Sequence, residues 1–459
     1  MSLPRYTGYK DSGIDWLGNI PSHWQVQKLK YECTVFPSNV DKHSRDGETA
    51  VLLCNYTDVY YNERVTSSMS FMEATASDGQ IAKFTLKSGD TIITKDSESA
   101  DDIAIAAYVP EDLPGVVCGY HLSMIRPRHG NVGAFVKRLF DSVYAKAKFE
   151  VAANGLTRVG LGQYAIDNVE LPFPPIVEQT AIANFLDHET AKIDALIAEQ
   201  EKLIALLAEK RQATISHAVT RGLNPDVPMK ASGVDWLGEI PEHWQLIRLK
   251  FVVQSIEQGW SPQCENFPVE SQDEWGVLKV GCVNGGVFQP SENKKLPPEL
   301  EPRPAYVLKK GDLLISRANT RELVGGAAVV PSDFDNLMLC DKLYRLRLIE
   351  SKCSPVFIAA YLGTAEARSQ IELAATGASS SMLNIGQSVI MDMLVPLPEV
   401  NEQRVIVELI VRESARLDAL MNDSKQVVEL LRERRSALIS AVVTGQIDVR
   451  GLVTSTATI

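Results

Sequence analysis

Two long stretches with apolar residues at steps of three and four dominate the chain. The first runs from about Glu178 to Arg221 and the second from about Glu402 to Thr444. This spacing predicts two amphipathic helices, each about 65 Å long at 1.5 Å per residue. Neither helix is apolar all round, so each needs a partner for its apolar stripe. The other helix is the obvious partner, and the pattern therefore predicts a two-helix spacer that holds two further domains apart.

The two stretches match each other in one register, which aligns Gln200 with Ser424 as a polar layer in an otherwise apolar seam. Ile197 and Ile204 widen the stripe of the first helix. An a/d seam of this kind is typical of paired helices. The predicted helix–helix seam consists of Leu186, Ile193, Leu196, Leu203, Leu207, Ile410, Leu417, Leu420, Val427 and Leu431.

A second repeat precedes these helices. Residues 10–30 (KDSGIDWLGNIPSHWQVQKLK) and 230–250 (KASGVDWLGEIPEHWQLIRLK) are identical at 14 of 21 positions. A period this long does not fit a solenoid and indicates a duplicated half-molecule. The tryptophans of the repeat are expected to pack in the interior. Each copy has one histidine, His23 or His243, with no second ligand nearby, which argues against a metal site or a catalytic base.

Between the repeats lie two more divergent segments, 31–171 and 251–394. Both show short strand-like runs separated by Gly, Pro, Asn and Asp turns, with a helix predicted over Val132–Phe149 and another over Pro355–Ala375. The sequence LKSGDTIITK at 86–95 returns in similar form as LKKGDLLISR at 308–317. The predicted fold class is α+β, with two globular mixed α/β domains separated by the pair of long helices. The predicted divisions are 1–30, 31–171, 172–250 (with the first long helix), 251–394 and 395–459 (with the second).

Composition narrows the class of protein. The chain has 459 residues, a formal net charge of −12 and seven scattered cysteines without a CxxC pair. Neither a zinc site nor a disulfide framework is indicated. No apolar run is long enough to span a membrane and the N-terminus lacks the apolar core of a signal peptide, so we expect a cytoplasmic protein without membrane association. The negative charge is evidence against nucleic-acid binding, which depends on neutralising phosphates.

The repeated segments nevertheless resemble those of a known family. The paired SGxDWLGxIPxHW segments, together with the sequences that lead into the long helices, LPFPPIVEQ at 171–179 and LPEVNEQ at 397–403, are similar to the specificity subunits of type I restriction–modification enzymes. The resemblance covers essentially the whole chain and both copies. Four motifs in a fixed order make it specific.

The resemblance implies a function and a set of partners. In that family each divergent domain is a target-recognition domain that reads one half of a bipartite double-stranded DNA site. The long helices form an antiparallel coiled coil that sets the separation of the half-sites, and the two halves of the chain are related by a pseudo-twofold axis. Two modification (methyltransferase) subunits dock on the repeated regions, and a restriction and translocation subunit joins them.

The same resemblance implies that this chain holds no cofactor, with S-adenosylmethionine, ATP and magnesium expected in the partner subunits. The sequence agrees that no catalytic site is present. It contains no GxxxxGK[ST] loop, no convincing GxGxxG after a strand and no carboxylate pair placed for acid–base work.

Candidate DNA-contacting residues follow from base-edge chemistry. Arg and Lys read guanine, Asn and Gln read adenine, and Ser, Thr and Tyr can contact bases or phosphates. Residues of these types in loops and at strand ends, placed alike in both domains, are Lys95, Ser97, Tyr120, His121, Thr157, Arg158, Arg317, Asn319, Thr320, Arg321, Lys342, Ser379, Ser380 and Asn384. Arg158 aligns with Ser380 and Lys95 with Arg317, so the two domains are expected to read different half-sites and the full target to be asymmetric.

Two other classes of protein fit parts of the pattern. A coiled-coil scaffold for protein interactions, without DNA specificity, would also use the long helices, and it would fail to co-purify with a methyltransferase. A nuclease hidden in the α+β domains would cleave DNA in a metal-dependent reaction. Neither explains why the helices and their leading segments are repeated while the domains between them diverge.

Overall fold

The computed structural model describes residues 3–379 and 382–452. The chain forms two compact units of mixed α and β structure. Unit 1 contains the residues up to Glu201 and those from Lys425 onward, and unit 2 contains Lys202–Ser424. Each unit has two clusters of buried apolar residues. Among the described residues no helix is long and apolar enough to cross a membrane.

Two helices are far longer than the rest. The first spans Ile176–Arg221 with 46 residues, and the second spans Val400–Val443 with 44 residues. Both begin after a proline-containing segment and carry an acidic residue in the first turn, which the helix dipole favours. Each helix contributes one part of its length to unit 1 and the other part to unit 2.

The less exposed positions of the long helices follow steps of four and three, but with a different phase from the predicted seam. Leu196, Leu203, Leu420 and Val427 are exposed by 54, 41, 43 and 41 %. The residue after each of them is less exposed. The buried or half-buried stripe is Leu186, Thr190, Ile193, Ile197, Gln200, Ile204, Leu207, Arg211 on the first helix and Ile410, Ser414, Leu417, Met421, Ser424, Val428, Leu431, Arg435 on the second.

This difference has a simple physical origin. At each position where the predicted seam residue is exposed, the residue that follows it is also apolar, as in Leu196–Ile197 and Val427–Val428. Both choices satisfy a seven-residue repeat, and they differ by one residue, or about 100° around the helix. The six other predicted seam residues lie on the observed stripe, with Ile193, Leu186, Ile410 and Leu417 buried and Leu207 and Leu431 half-buried.

A small two-stranded sheet and a glutamate in the first helical turn, buried in unit 1 and half-buried in unit 2, join the repeated segment to each long helix. In unit 1 the strand Gln25–Lys28 pairs with Glu170–Phe173, and in unit 2 Gln245–Arg248 pairs with Leu394–Leu397. Glu178, in the first turn of the first long helix, accepts hydrogen bonds from the indole of the fully buried Trp24 at 3.0 Å and from the hydroxyl of Tyr6 at 3.1 Å.

The neighbouring glutamine and the second copy repeat this design. Gln179 accepts a hydrogen bond from the backbone N–H of Val132 at 2.9 Å and donates to the carbonyl of Pro174 at 3.0 Å. In unit 2 Glu402 accepts from the indole of Trp244 at 3.0 Å, and Gln403 accepts from the N–H of Ser354 at 2.8 Å. The Glu-Gln pair at the head of each long helix is therefore a structural anchor. We call the repeated segments 10–30 and 230–250, their strand pairs and the helix heads that they contact the frame.

We call the first divergent segment, residues 31–171 of unit 1, reader 1 after the role that the family resemblance leads us to expect. Its central sheet has the strand order Cys33–Pro37, Leu122–Pro127, Thr91–Thr94, Ala106–Tyr108. The strands of unit 1 are Tyr9–Asp11, Asn19–Pro21, Gln25–Lys28, Cys33–Pro37, Thr49–Cys54, Met72–Ala76, Thr91–Thr94, Asp96–Ser97, Ala106–Tyr108, Val116–Cys118, Leu122–Pro127, Val159–Gly160 and Glu170–Phe173, and its shorter helices are Leu29–Glu32, Tyr56–Tyr60, Asp78–Phe84, Ala100–Asp102 (3-10), Gly133–Asp141, Val143–Ala152 and Gln163–Asn168.

Unit 2 contains the equivalent reader 2 (residues 251–394). Its central sheet has the same order, Val253–Gln258, Leu343–Leu348, Leu313–Ser316, Ala327–Val329. The strands of unit 2 are Met229–Ala231, Glu239–Pro241, Gln245–Arg248, Val253–Gln258, Gly276–Leu278, Asn293–Lys295, Val307–Leu308, Leu313–Ser316, Ala318–Asn319, Ala327–Val329, Phe334–Met338, Leu343–Leu348, Thr376–Ser379, Met382–Asn384 and Leu394–Leu397, and its shorter helices are Leu249–Phe251, Val280–Gly286 and Pro304–Tyr306 (all 3-10), Pro355–Leu362, Ala365–Ala374 and Gln387–Asp392.

The helix predicted over Val132–Phe149 is two helices, Gly133–Asp141 and Val143–Ala152. They are separated by Ser142, which has extended backbone angles and accepts a hydrogen bond from the N–H of Ala145. The helix predicted over Pro355–Ala375 is divided in the same way, with Thr364 capping the second half. Serine and threonine favour N-caps over helix interiors, and this capping outweighs the continuous apolar pattern.

A network of charged side chains holds reader 1 against the long helices within unit 1. Lys137 and Arg138, with only 3 and 7 % of their side chains exposed, pair with Glu63 and Asp141. Glu63 also accepts a hydrogen bond from Arg435 of the second long helix at 2.7 Å. Burial alone would raise the pKa of the Glu63 carboxyl, but the charges of Lys137, Arg138 and Arg435 outweigh it and lower that pKa from 4.5 to about 2.

This network leads to a test of pH-dependent stability. Replacing Glu63 by Gln removes one charge from it, and we expect the free energy of unfolding at pH 7 to fall by about 1–2 kcal/mol because charge-assisted hydrogen bonds are lost. The lowered pKa of Glu63 means that its contribution is complete above pH 4.5 and disappears as the pH falls toward 2. Urea unfolding between pH 7 and pH 3 should therefore show the wild type and E63Q converging.

The matched control is Val287→Gln, which alters the equivalent position of reader 2. Val287 is 57 % exposed, so this change should shift the free energy of unfolding by less than about 0.5 kcal/mol at every pH. A constant difference between the wild type and E63Q across the pH range would contradict the role given to the Glu63 charge.

Candidate nucleic-acid interface

Three separate segments of reader 1 meet at one end of its central sheet. The strand Thr91–Thr94 runs antiparallel to Leu122–Pro127, so the end of the first lies beside the start of the second. The N–H of Lys95 donates to the carbonyl of His121 at 3.0 Å, which closes this corner. The short strand Asp96–Ser97 then pairs with Val159–Gly160. Residues from positions 95–97, 120–121 and 157–158 are thereby brought together.

Several of these side chains are already paired within the protein. The carboxylate of Asp96 lies 2.9 Å from Nδ1 of His121 and 3.5 Å from Nζ of Lys95. Nζ of Lys95 is also 4.6 Å from the centre of the Tyr120 ring. Tyr120 is half exposed and its ring lies edge-on to His121. Thr157 and Arg158 are exposed. The exposed side chains can reach a ligand directly, whereas Lys95 and His121 are held in place by Asp96.

Ser97 differs from the expectation that it presents its hydroxyl to DNA. It is only 5 % exposed and lines a cavity together with Tyr56. Its backbone pairs with Val159 in the short two-stranded sheet. Ser97 is therefore much less accessible to a base edge than the exposed Thr157 and Arg158.

Reader 2 brings the corresponding segments together in the same way. The N–H of Arg317 donates to the carbonyl of Lys342 at 2.9 Å, and the strand Ala318–Asn319 pairs with Met382–Asn384. Lys342 and Arg321 are exposed. One guanidinium nitrogen of Arg317 donates a hydrogen bond to the carbonyl of Asp341 at 3.3 Å.

The remaining predicted residues of reader 2 lie beside this corner. The side-chain oxygen of Asn319 accepts a hydrogen bond from the N–H of Thr320 at 2.9 Å. Asn384 is half-buried and lies opposite Ala318 and Thr376 in the three-stranded sheet. The backbone of Ser379 belongs to the adjacent strand Thr376–Ser379, and Ser380 lies outside the described residues.

A group of tyrosines beside this corner of reader 1 was not predicted from the sequence. Tyr56 and Tyr60 stack with ring centres 5.3 Å apart, and Tyr61 lies edge-on to Tyr60 at 4.9 Å. The hydroxyl of Tyr60 donates to Asp102 at 2.8 Å; this bond, with burial as a smaller cause, raises the pKa of Tyr60 to about 12.

These rings line a cavity of about 380 Å³ together with Asp96, Ser97, Glu98, Asp102, His121 and Arg158. The run Tyr56–Tyr61 reads as strand in the sequence, but Tyr56–Tyr60 is a helical turn that starts with a capping box between Asn55 and Asp58. An Asn followed three residues later by an acid is the signal that could have found it. Stacked rings beside an exposed Arg158 can hold the flat face of a base, and the carboxylates can accept hydrogen bonds from base amino groups.

No group of three or more His, Cys, Asp or Glu side chains among the described residues is arranged to hold a metal ion. His23 and His243, the one histidine in each copy of the repeat, lie 2.6 Å from Glu178 and 2.8 Å from Glu402. Both histidines therefore contribute to the anchor formed by the glutamate at the head of each long helix.

Comparison with known proteins agrees with this geometry. Residues 42–205 match the model of the type I restriction modification DNA specificity domain. The chain is 31 % identical over 172 residues to the specificity subunit of the type I restriction enzyme EcoEI from Escherichia coli, an alignment that covers 38 % of this chain and 29 % of the relative. It is 24 % identical over 370 residues to the EcoKI specificity subunit of Escherichia coli K12, covering 79 % of this chain and 75 % of the relative.

Two solved structures share the fold. A chain from a structure of a type I restriction–modification system superposes with a TM-score of 0.70 at 18 % identity, covering 93 % of this chain and 99 % of the other. The HsdS subunit of Thermoanaerobacter tengcongensis superposes with a TM-score of 0.50 at 19 % identity, covering 93 and 98 %. Residues 42–205 thus match the type I restriction modification DNA specificity domain, and over most of its length the chain resembles the specificity subunits of type I restriction enzymes.

Proposed function

We propose that this chain is the DNA sequence-recognition subunit of a type I restriction–modification complex. Each reader recognises one half of a bipartite double-stranded DNA site, and the long helices set the distance between the halves. Modification subunits bind the repeated frame, and a restriction and translocation subunit joins the complex. Binding of S-adenosylmethionine, ATP and magnesium belongs to those partners. The observation that carries the proposal is that two readers with the same strand order present different residues at the same corner.

Equivalent contacts in the two units support a pseudo-twofold duplication. The pair Asp90–Arg126 of reader 1 corresponds to Asp312–Arg347 of reader 2, and both arginines lie within 2.9 Å of their carboxylates. We call the corner closed by the backbone hydrogen bond from Lys95 to His121, and by that from Arg317 to Lys342, the reading corner. This bond is likewise present in both readers. Together with the shared strand order, these contacts favour one ancestral half-molecule used twice.

Ion pairs of the long helices support their antiparallel pairing. In unit 1 Arg435 lies 2.8 Å from Asp194, and in unit 2 Arg211 lies 3.1 Å from Asp418. The register that aligns Gln200 with Ser424 also aligns Asp194 with Asp418 and Arg211 with Arg435, so the two ion pairs are equivalent. In each ion pair the aspartate lies nearer the start of its helix and the arginine nearer the end of the other helix. Antiparallel helices bring such positions together.

The two reading corners differ in chemistry, which supports an asymmetric target. The segment Asp96–Ser99 of reader 1 reads Asp-Ser-Glu-Ser, and the equivalent segment Ala318–Arg321 of reader 2 reads Ala-Asn-Thr-Arg. Carboxylates accept hydrogen bonds from the amino groups of cytosine, whereas arginine donates to guanine. The two corners have similar backbones, but one carries hydrogen-bond acceptors and the other carries donors, so they select different base sequences.

The long helices also carry a repeated exposed apolar stripe, which supports binding of partner subunits along them. Leu196, Leu203 and Leu206 are exposed by 54, 41 and 51 %. Their counterparts in the second helix, Leu420, Val427 and Leu430, are exposed by 43, 41 and 63 %. Exposed apolar residues in a regular row indicate a protein-binding surface, and its repetition fits two modification subunits.

The experiment that tests the proposal is a map of methylated adenines in the source genome with and without this gene. We expect one bipartite, asymmetric motif to lose its methylation when the gene is removed and to regain it on complementation, because the chain selects the site for its modification partners. Unchanged methylation in the deletion strain, with the partner genes intact and expressed, would contradict the proposal.

The spacer role predicts the effect of lengthening the helices. Inserting one seven-residue repeat after Glu201 and another after Lys425 keeps the seam in register and lengthens the pair by about 10 Å. The gap between the half-sites should then grow by about 3 base pairs, at about 3.4 Å each, with both half-sites unchanged. Methylation mapping gives the result. A seven-residue insertion at the exposed turn Asp46–Gly47 serves as control and should leave the gap unaltered.

A point substitution should separate the two half-sites. Arg317→Ala removes a guanidinium from the reading corner of reader 2, and we expect about 1–3 kcal/mol of discrimination to be lost at one base of one half-site. The other half-site should keep its specificity. Lys309→Ala is the matched control, since it removes a cation of the same reader that pairs with Asp335. Relaxed specificity in both half-sites of the Arg317 variant would show that the readers do not act separately.

A further inference from the structure

Unit 2 contains an apolar hollow that is larger than the equivalent cavity of unit 1. Its volume is about 660 Å³, within the range of ordinary ligand-binding cavities. It lies between reader 2 and the parts of the long helices that belong to unit 2, and Val283, Ala359, Ala360 and Ile410 are among the residues that line it. The equivalent cavity of unit 1 measures about 350 Å³.

Smaller side chains in unit 2 replace those that fill the space in unit 1. The strand Thr49–Cys54 of reader 1 and the strand Gly276–Leu278 of reader 2 are each followed by a helical segment. The N-caps of these two segments are Asn55 and Lys279. Counting from these caps, Tyr60 and Tyr61 correspond to Asn284 and Gly285. Two aromatic rings are thus replaced by an amide and a hydrogen atom. The backbone of Gly285 has a φ of 73°, which disfavours any larger residue there.

The charged network of unit 1 is replaced by apolar side chains in unit 2. Counting from the same caps, Val287 takes the place of Glu63. The helix caps at Val132 and Ser354 likewise align Lys137 and Arg138 with Ala359 and Ala360. Small apolar side chains therefore stand where unit 1 has a carboxylate and two cations.

One member of the network remains in unit 2 without its second acid. Arg435 of unit 1 pairs with both Glu63 and Asp194. Its counterpart Arg211 lines the hollow, and Asp418 is its one acidic partner among the described residues. Nε of Arg211 is buried and lies 3.1 Å from Asp418, but the angle does not make a hydrogen bond. A buried guanidinium nitrogen without an acceptor favours binding of a further carboxylate.

We infer that this hollow receives an aromatic side chain and a neighbouring carboxylate from a partner protein, the modification subunit that binds the second copy of the frame. The inference rests on the proposed function. The ring occupies the space that the rings of Tyr60 and Tyr61 partly take up in unit 1, and the carboxylate takes the place of Glu63 next to Arg211.

The rim of the hollow indicates a protein rather than a small molecule. Val287, Leu323 and Val411 surround the opening and are exposed by 57, 36 and 57 %. A small ligand would fill the cavity and leave these apolar side chains in water. A protein segment covers them as well, which adds apolar burial to the ring and the ion pair. The two docking sites for modification subunits are then unequal, because the larger side chains of unit 1 leave its cavity only about 350 Å³, against about 660 Å³ in unit 2.

The test fills the hollow with the side chains of unit 1. The double substitution Asn284→Tyr with Val287→Glu supplies a ring and a carboxylate at positions whose backbone tolerates them, and Ala360→Trp fills the space independently from the helix side. Native mass spectrometry and sedimentation with the purified modification subunit measure the stoichiometry. We expect two subunits on the wild type and one on either filled variant, with the second affinity reduced at least about tenfold.

Val287→Thr is the matched control, since it neither fills the hollow nor adds a charge to it, and it should bind two subunits. Circular dichroism and thermal unfolding verify that the variants are folded. Two subunits bound with unchanged affinities on both filled variants would overturn the inference and leave the proposed function standing. A wild-type chain that binds no modification subunit would overturn both.

An aromatic anion, anilinonaphthalene sulfonate, provides a second readout. Its fluorescence should rise with the wild type and with Val287→Thr, stay low with the filled variants, and fall when the modification subunit is added to the wild type. Dye that remains bound in the full complex would mean that the partner does not enter the hollow, and the inference would fail.

Discussion

The architecture depends on how the two ends of each reader are held together. Each reader is closed by two antiparallel strands that pair directly at its two ends, such as Gln25–Lys28 with Glu170–Phe173. The strand pair is fastened to the head of a long helix, where the buried Trp24 donates to Glu178. Leaving a buried carboxylate or indole without its partner costs about 1–3 kcal/mol, so these groups are strongly constrained. Because the strand pair closes each reader at its base, the loops far from that base can change without moving the strand pair.

This closure explains why the frame segments are nearly identical and the readers are not. Residues that make the anchor recur in both copies, as with Trp24 and Trp244. Within the readers the strand order recurs but the contacts to the helices do not. Reader 1 is held by charged groups around Glu63, whereas reader 2 faces an apolar hollow. A dense set of ion pairs constrains direction more tightly than apolar contacts with an open cavity, so the two copies of one design differ in how firmly the reader is held.

The sequence contained most of the architecture and less of the detail. The return of the segment 10–30 at 230–250 revealed the frame, and the helical spacing of apolar positions located the long helices to within two positions at each end. The phase of the seam was ambiguous because Leu196 and Ile197 are both apolar, and only the partner decides which is covered. The helix break at Ser142 and the turn that carries Tyr56 and Tyr60 depend on capping hydrogen bonds, which an apolar pattern does not reveal.

The acidic character of the readers has a physical consequence for recognition. Residues 31–171 contain 13 Lys and Arg against 19 Asp and Glu, and residues 251–394 contain 13 against 17. Some of the cations at the reading corner are also engaged within the protein, as Lys95 is by Asp96 and Tyr120. Phosphate neutralisation supplies most of the sequence-independent affinity for DNA, and such a surface supplies little of it. Carboxylates, amides and a few arginines instead suit base edges. Under the proposed function, specificity and affinity are divided, with this chain selecting the bases and its partner subunits holding the phosphates.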